Sequence, residues 1–337
     1  MSHFADGARN DGSSVLRCPS CRGRLYLDQS EYRCDVCGLQ FEVVDGIPSL
    51  FLPNQWREPD DITRTVRDFY ESTPFPNYDG FDDVGTLIEK SRKGLFSRLL
   101  DDQIPLGSNV LDCGCGTGQL ANFLAVANRQ VHGADMCMNS LRLATDFKRR
   151  NALSRVEFVQ MNLFRPCFPD GEFDLVISNG VLHHTSNPWL AFETISRLVK
   201  PGGYVLVGLY HRYGRLATDV RRRIFDMTGD RMRWLDRRWA SGLGEARRET
   251  WFLDQYKNPH ESKHTVDEVL RWFERSGFSF VRTIPSTAPL HRLDGDTLLF
   301  EAEPLSGPLA RAVTTGAMVL SGHREGGFFI MVGKKQI

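Results

Sequence analysis

The chain has 337 residues, of which 41% are hydrophobic, and its 42 basic and 42 acidic residues give a formal net charge of zero. This length allows one large domain and a small one, and a neutral chain has no overall field that would attract nucleic acid or an anionic membrane. Because no run of about 18 apolar residues is present, the sequence predicts no membrane-spanning helix and no membrane partner.

The first segment, residues 1–15, is polar and lacks the apolar core of a signal peptide. We therefore predict a disordered tail and a cytoplasmic location. In that compartment the eight cysteines of the chain indicate metal ligands or free thiols rather than disulfides.

Two C-x-x-C pairs come next, Cys18 with Cys21 and Cys34 with Cys37. Each pair presents two thiolates from one turn, and four thiolates suit a closed tetrahedral zinc site, although iron in a rubredoxin-like site has the same geometry. The module is too short to bury a core alone, so the metal would supply folding energy. Two roles stay open for this module: a protruding surface (a binding knob) that binds substrate or a partner, and a structural cap on the catalytic domain.

Aromatic residues and prolines alternate over residues 66–79. Phe69, Tyr70, Phe75 and Tyr78 are predicted to wall a ligand pocket, and Tyr70 is a candidate substrate contact; the alternative is a strap packed on the domain surface. A helix from about residue 86 to 100 is predicted to lead into the main domain.

The most informative stretch is a glycine turn at residues 110–118. An apolar strand leads into Asp112, and Gly114, Gly116 and Gly118 precede an apolar helix, an arrangement that lets the backbone lie against a ligand. The spacing matches neither a dinucleotide turn nor a P-loop. The acid before the turn suits a cationic nucleoside without phosphate, and Asp135, at the end of the next strand, is predicted to accept both ribose hydroxyls.

Three further segments follow in order: residues 158–162, residues 179–184 (Asn-Gly-Val-Leu-His-His) and residues 200–203 (Lys-Pro-Gly-Gly). With the glycine turn they resemble the motifs of class I S-adenosylmethionine-dependent methyltransferases, over about residues 85–335. The resemblance implies an α/β fold with a Rossmann-like, seven-stranded, mostly parallel sheet. Its sixth strand would be residues 278–284, and the last strand, residues 328–332, would run antiparallel beside it.

The same resemblance implies S-adenosylmethionine as the cofactor, with the adenine amino group held by Asn162. The residues that it implies for cofactor binding are Asp112, Gly114, Cys115, Gly116, Gly118, Asp135, Met136, Asn162, Leu163 and Asn179.

Residues 41–50 resemble the end of small zinc-ribbon proteins that activate tRNA and protein methyltransferases. The predicted domains are therefore a zinc ribbon (16–53), a linker and cofactor-covering strap (54–84) and a methyltransferase domain (85–337). Two insertions, residues 211–262 and 285–325, are expected to cap the substrate cleft.

The candidate substrate residues in the first insertion follow the predicted fifth strand directly: His211, Arg212, Tyr213 and Arg215. His183 and His184 are the catalytic candidates, because histidine titrates near neutral pH and a hydroxyl acceptor would need a base. His183 is the first choice for the base; the alternative is a histidine that shapes the loop or contacts adenine.

The sequence thus predicts methyl transfer to an oxygen or carbon atom of a small molecule. Two alternatives stay open. One is an RNA methyltransferase that uses the zinc ribbon and the arginine-rich insertion for phosphate contacts; the other is a cofactor-binding scaffold without catalysis. The oligomeric state is open as well.

Overall fold

The structure is a computed structural model that describes residues 15–56, 61–75, 83–236, 239, 244–287, 293–311, 313 and 327–337. Nearly all of the predicted tail, Tyr78, and the second insertion over residues 288–292, 312 and 314–325 lie outside the described residues. Within the described part, no helix is both long enough and apolar enough to cross a bilayer.

The N-terminal module is a four-stranded antiparallel sheet whose strands follow each other in chain order. Its strands are β1 (Leu25–Asp28), β2 (Glu31–Cys34), β3 (Gln40–Val44) and β4 (Ile47–Pro48).

Three helices connect this module to the main sheet: α1 (Thr63–Ser72), α2 (Val84–Lys93) and α3 (Leu95–Gln103). The prediction of one continuous helix over residues 86–100 is wrong. Gly94 has an extended backbone (φ −78°, ψ 117°), and the chain turns there before α3 begins. Asp83 caps α2 by accepting a hydrogen bond from the amide of Thr86.

The main sheet has seven strands: β5 (Asn109–Cys113), β6 (Gln130–Asp135), β7 (Val156–Gln160), β8 (Phe173–Asn179), β9 (Val199–Tyr210), β10 (Phe278–Ile284) and β11 (Phe328–Lys335). Their spatial order is β10-β11-β9-β8-β5-β6-β7. All neighbouring pairs among β5 to β9 are parallel, whereas β11 is antiparallel to both β9 and β10. This topology confirms the predicted Rossmann-like fold, including its antiparallel last strand.

Apolar clusters fill both faces of this sheet. The helices that accompany the sheet strands are α4 (Gln119–Val126), α5 (Met138–Arg150), α6 (Pro188–Ser196) and α9 (Val266–Arg275). On α9, the apolar positions Val269, Trp272 and Phe273 are buried, because residues three and four apart lie on one helix face.

The first insertion forms a helical cap with its own small core of Phe225, Phe252 and Tyr256. It consists of α7 (Leu216–Thr228), a 3₁₀ turn (Arg233–Leu235), α8 (Glu245–Phe252) and a π-helical turn (Leu253–Lys257).

The N-terminal module is packed on the main sheet. The chain that leaves β4 runs parallel to the end of the edge strand β7, where the Leu50 amide donates to the Gln160 carbonyl (3.0 Å) and Ser49 Oγ donates to Gln160 Oε1 (2.7 Å). Leu25, Phe41 and Leu50 belong to the same apolar cluster as the adjoining sheet face.

Candidate active site

A cleft of about 1450 Å³ opens at the carboxyl ends of the parallel strands, between the glycine turn after β5 and the helical cap. Ligands of open α/β sheets bind in this position. The predicted site residues on its wall are Tyr70, Asp112, Gly114, Cys115, Gly116, Asp135, Met136, Asn162, Leu163, Asn179 and His184.

The backbone of the glycine turn forms part of the cleft wall, and its conformation requires glycine. Gly114, Gly116 and Gly118 all have positive φ, between 52° and 77°. A Cβ atom on Gly114 would lie 2.5 Å from both methyl carbons of Val181, and one on Gly118 would lie 2.7 Å from Ala144 and Phe158. The conformation and the lack of space both require glycine at these positions. Gly118 itself precedes α4 and is not part of the cleft wall.

Two carboxyl groups stand beside this turn. Asp135 accepts hydrogen bonds from the backbone amides of Gly116 and Cys137, each at 2.8 Å, which fixes the carboxylate at the end of β6. Burial raises the pKa of Asp135, and burial together with the charge of Asp135 raises the pKa of Asp112 to about 7. Such a pair favours a cationic ligand, since a positive charge would lower both pKa values.

Asn162 lies at the end of β7 and is buried. Its amide nitrogen donates to the Leu52 carbonyl and to Asn54 Oδ1, both at 2.8 Å, and its Oδ1 accepts from the Phe164 amide at 3.1 Å. A carbonyl oxygen has two lone pairs, so Oδ1 keeps one for a ligand amino group. The segment that leaves the N-terminal module therefore orients this side chain.

Helix α1 forms one side of the cleft. Glu71 joins it to the start of α5, because its carboxylate accepts from the amides of Met138 (2.7 Å) and Asn139 (2.9 Å). Tyr70 faces the cap: its hydroxyl donates to Asp254 Oδ1 (2.9 Å) and accepts from Asn258 Nδ2 (2.7 Å). Burial and the charge of Asp254 raise the pKa of Tyr70 well above its ordinary value.

Cap residues that the sequence does not predict lie at this end of the cleft. Asp254, Gln255 and Tyr256 all line it, and they lie on the π-helical turn that follows α8. Single π-turns often occur at functional sites. The sequence signal there is a run of polar and aromatic residues at 254–258, directly after three apolar residues at 251–253, and no motif distinguishes it.

The structure places His184, and not His183, at the cleft. Nδ1 of His184 lies 2.8 Å from the His260 carbonyl. Because a carbonyl only accepts, Nδ1 carries the hydrogen, and Nε2 is left as a free acceptor among the described residues. Burial lowers the pKa of His184, which keeps the ring neutral at pH 7.

His183 is completely buried under Tyr210, with 4.2 Å between the ring centroids, and neither of its nitrogens has a hydrogen-bond partner among the described residues. Burial lowers its pKa well below the ordinary value. It has no access to the cleft, so the first choice for a general base does not fit this geometry.

The four candidates after β9 do not reach the cleft either. His211 is buried, and Arg212 and Tyr213 are exposed on the outer surface. Arg215 has no exposed area and donates to Glu261 Oε2 at 2.5 Å. Their position next to β9 suggested substrate contacts, but the chain turns away from the cleft at this point.

The four cysteines of the N-terminal module converge on one point, with their sulfur atoms within 4.8 Å of one another. Sγ of Cys18 lies 3.7 Å from that of Cys37, and Sγ of Cys21 lies 3.4 Å from that of Cys34. The amides of Val36 and Cys37 donate to Cys34 Sγ, which stabilises a thiolate there.

Comparisons with known proteins match this chain to methyltransferases. The family model described as a methyltransferase domain matches residues 111–207. An uncharacterised methyltransferase of Mycobacterium bovis is 32% identical over 140 residues, which are 38% of this chain and 70% of that protein. The chain therefore belongs to the family of S-adenosylmethionine-dependent methyltransferases.

Two other relatives are covered less completely. An uncharacterised Synechococcus protein is 26% identical over 254 residues, or 66% of this chain and 60% of the relative. A ubiquinone biosynthesis O-methyltransferase of Thiobacillus denitrificans is 35% identical over 117 residues, or 34% of this chain and 50% of the relative. The chain thus spans less than two thirds of either protein.

Proposed function

We propose that the chain transfers a methyl group from S-adenosylmethionine to an oxygen atom of a small-molecule acceptor, with His184 as the general base. The observation that carries this proposal is the free Nε2 of a neutral, buried His184 on the cleft wall. Bound S-adenosylmethionine supplies an electrophilic methyl group. The chain aligns the acceptor with it and takes up the hydroxyl proton.

The cofactor half of the proposal rests on the glycine turn and the acids beside it. The bare backbone of Gly114 and Gly116 would lie against the nucleoside, and Asp135 would accept the ribose hydroxyls with its remaining lone pairs. Asn162 Oδ1 would accept from the adenine amino group. The other members of this proposed set are Asp112, Cys115, Gly118, Met136, Leu163 and Asn179.

Charge pairing within the cap favours a small molecule over RNA as the acceptor. An RNA-binding surface needs basic side chains that are free to contact phosphates. Five basic residues of the insertion, and Lys263 directly after it, instead form ion pairs with neighbouring carboxylates: Arg215, Arg221, Arg222, Arg233, Lys257 and Lys263. The ubiquinone biosynthesis relative also methylates oxygen, by its name.

A structural zinc ion is the second part of the proposal. Tetrahedral zinc with Zn–S bonds of about 2.3 Å places sulfur atoms about 3.8 Å apart, and the observed separations of 3.4 and 3.7 Å fit this spacing. Four thiolates leave no open coordination position, so the ion would hold residues 16–53 together as a cap on the main domain. The eight free cysteines also support a cytoplasmic location.

Methyl-labelled cofactor and an extract of the source organism provide the direct test. The purified protein is incubated with both, and label is followed into metabolites, RNA and protein. We expect label in the metabolite fraction, and His184→Gln should add it at least 100-fold more slowly than wild type, about the contribution of a general base. Incorporation into RNA would establish the alternative acceptor, and binding of cofactor without any incorporation would establish the scaffold.

A further inference from the structure

Tyr210, the last residue of β9, packs closely against Arg215 and His183. The guanidinium carbon of Arg215 lies 3.7 Å from the centroid of the Tyr210 ring. The centroid of the His183 ring lies 4.2 Å from the same point. Tyr210 lines the cleft and is only 7% exposed. Its hydroxyl therefore has a fixed position.

The direction of the hydrogen bonds around this hydroxyl follows from Arg215. Arg215 Nη1 donates to Gln255 Oε1 at 2.7 Å, and a guanidinium can only donate, so the other end of the Gln255 amide is the NH₂ group. Gln255 Nε2 then donates to the Tyr210 oxygen at 2.6 Å and to Asp254 Oδ2 at 2.9 Å. The Tyr210 oxygen is an acceptor in this chain.

The hydrogen of the Tyr210 hydroxyl is therefore not used in this chain of hydrogen bonds. It has no acceptor among the residues that the structure describes, although the side chain lies on the cleft wall. Burial and the nearby charge of Asp254 raise the pKa of Tyr210, so the hydroxyl keeps its proton at neutral pH. The ring of His184, whose Nε2 is a free acceptor, lies 6.2 Å away between centroids.

We propose that Tyr210 is a specificity-determining donor that recognises a second oxygen atom on the acceptor, next to the hydroxyl that is methylated. This assignment rests on the proposed function of His184. The acceptor class is then a catechol or a hydroxyl beside a carbonyl group. The acceptor oxygen forms its bond to the methyl carbon, the carbon–sulfur bond breaks with its electron pair going to sulfur, and the hydroxyl proton passes to His184 Nε2.

The rest of this end of the cleft fits a planar acceptor of this kind. Trp251, Tyr256 and Phe328 add aromatic surface to the wall. Arg221, a cationic side chain on this wall, forms an ion pair with Asp236 and donates to the Tyr256 hydroxyl. A monohydroxylated ring would leave the Tyr210 donor buried without a partner, which is unfavourable.

Catechol and phenol are the probes that isolate this contact. The full chain is saturated with S-adenosylhomocysteine, and the dissociation constants of both probes are measured by ligand-observed NMR for wild type, Tyr210→Phe and the control Tyr26→Phe, whose ring is exposed on β1. We expect wild type and Tyr26→Phe to prefer catechol by about fivefold, the contribution of one neutral hydrogen bond. Tyr210→Phe keeps its affinity for S-adenosylhomocysteine and binds phenol at least as tightly as wild type, because the unpaired donor is gone, and its preference for catechol falls to about one.

Equal affinity of wild type for the two probes overturns the proposal, as does no detectable catechol binding or a preference that Tyr210→Phe retains. Failure of wild type to bind S-adenosylhomocysteine would instead overturn the proposed function. The two failures are therefore distinguishable in the same titration series.

Discussion

In this cleft, the ability of a residue to bind a ligand depends on which of its polar atoms are still free after its contacts within the protein. Asp135 uses one lone pair of each carboxylate oxygen on a backbone amide and keeps the others for a ligand. His184 and its neighbour His183 are identical in type, yet one has a free nitrogen at the cleft and the other is sealed beneath Tyr210. The sequence identified the histidine pair but could not distinguish the two.

Replacing Asp135 tests the ribose assignment. Asp135→Ala should weaken binding of S-adenosylhomocysteine by about 10- to 100-fold, because hydrogen bonds to a charged group contribute about 1.5–3 kcal/mol. Isothermal titration calorimetry measures this affinity. Asp146→Ala is the control, since that carboxylate is exposed on α5 and pairs with Arg150. Equal affinities for the two variants would show that the assignment is wrong.

The pH profile tests His184 as the base. Burial lowers its pKa, so the neutral ring persists below the ordinary value of about 6.5, and activity is lost only when the pH falls through the lowered pKa. With S-adenosylmethionine saturating and with the acceptor that the label identifies in the extract as substrate, kcat/KM for the acceptor should stay level from pH 7.5 down to about 6.5. His184→Gln should reduce kcat by about 10²- to 10⁴-fold.

His260→Gln is the matched control for this experiment, because His184 contacts only the backbone carbonyl of that residue. It should keep the wild-type profile. An acid limb centred at or above pH 6.5, or near-normal turnover by His184→Gln, would rule out the assigned role.

At the scale of elements, the sequence predicts those helices, strands and turns that depend on residues close together in the chain. The strand–turn–helix unit at residues 110–118 was readable because its glycines and flanking apolar residues lie close together in the chain. The break between α2 and α3 at Gly94 was not, since one glycine within a helical pattern is compatible with continuation. The π-helical turn places Asp254 at the cleft. This turn depends on how the cap packs, so the spacing of apolar residues in the sequence does not predict it.

Helix α1 contacts both the start of α5, through Glu71, and the helical cap, through Tyr70. A substitution at Glu71 tests whether this helix supports cofactor binding. Glu71→Ala removes the carboxylate that caps the amides of Met138 and Asn139, a change of about 0.5–2 kcal/mol for helix caps. We expect faster hydrogen exchange over Thr63–Ser72 and weaker S-adenosylhomocysteine binding by about two- to thirtyfold.

Asp68→Ala, on the same helix with its side chain 70% exposed, should leave both quantities unchanged. Unaltered exchange in Glu71→Ala would mean that other contacts of α1 hold the helix in place.

At the scale of the whole molecule, the sequence predicted the large parts but not their junctions. The order of the motifs implied the seven-stranded sheet, and cysteine spacing alone predicted that four sulfur atoms would meet. The prediction that Arg215 contacts substrate fails because its partner is Glu261, which is 46 residues away in the chain and is not indicated by any local pattern. The pairing of Leu50 with the edge strand at Gln160 is likewise a contact between distant segments, and it favours the cap over the binding knob.

The cysteine site is the last feature to test, because it determines whether the N-terminal module folds. The purified wild-type chain should carry one equivalent of zinc by mass spectrometry, since four thiolates form a closed tetrahedral site. Cys34→Ser should lose that metal, and proteolysis of residues 16–53 should accelerate, because the metal supplies folding energy that this small sheet lacks. Ser20→Ala, an exposed side chain between the ligands Cys18 and Cys21, should retain the metal. A full equivalent of metal in Cys34→Ser would refute the four-thiolate site, and iron in its place, visible from its colour, would refute zinc.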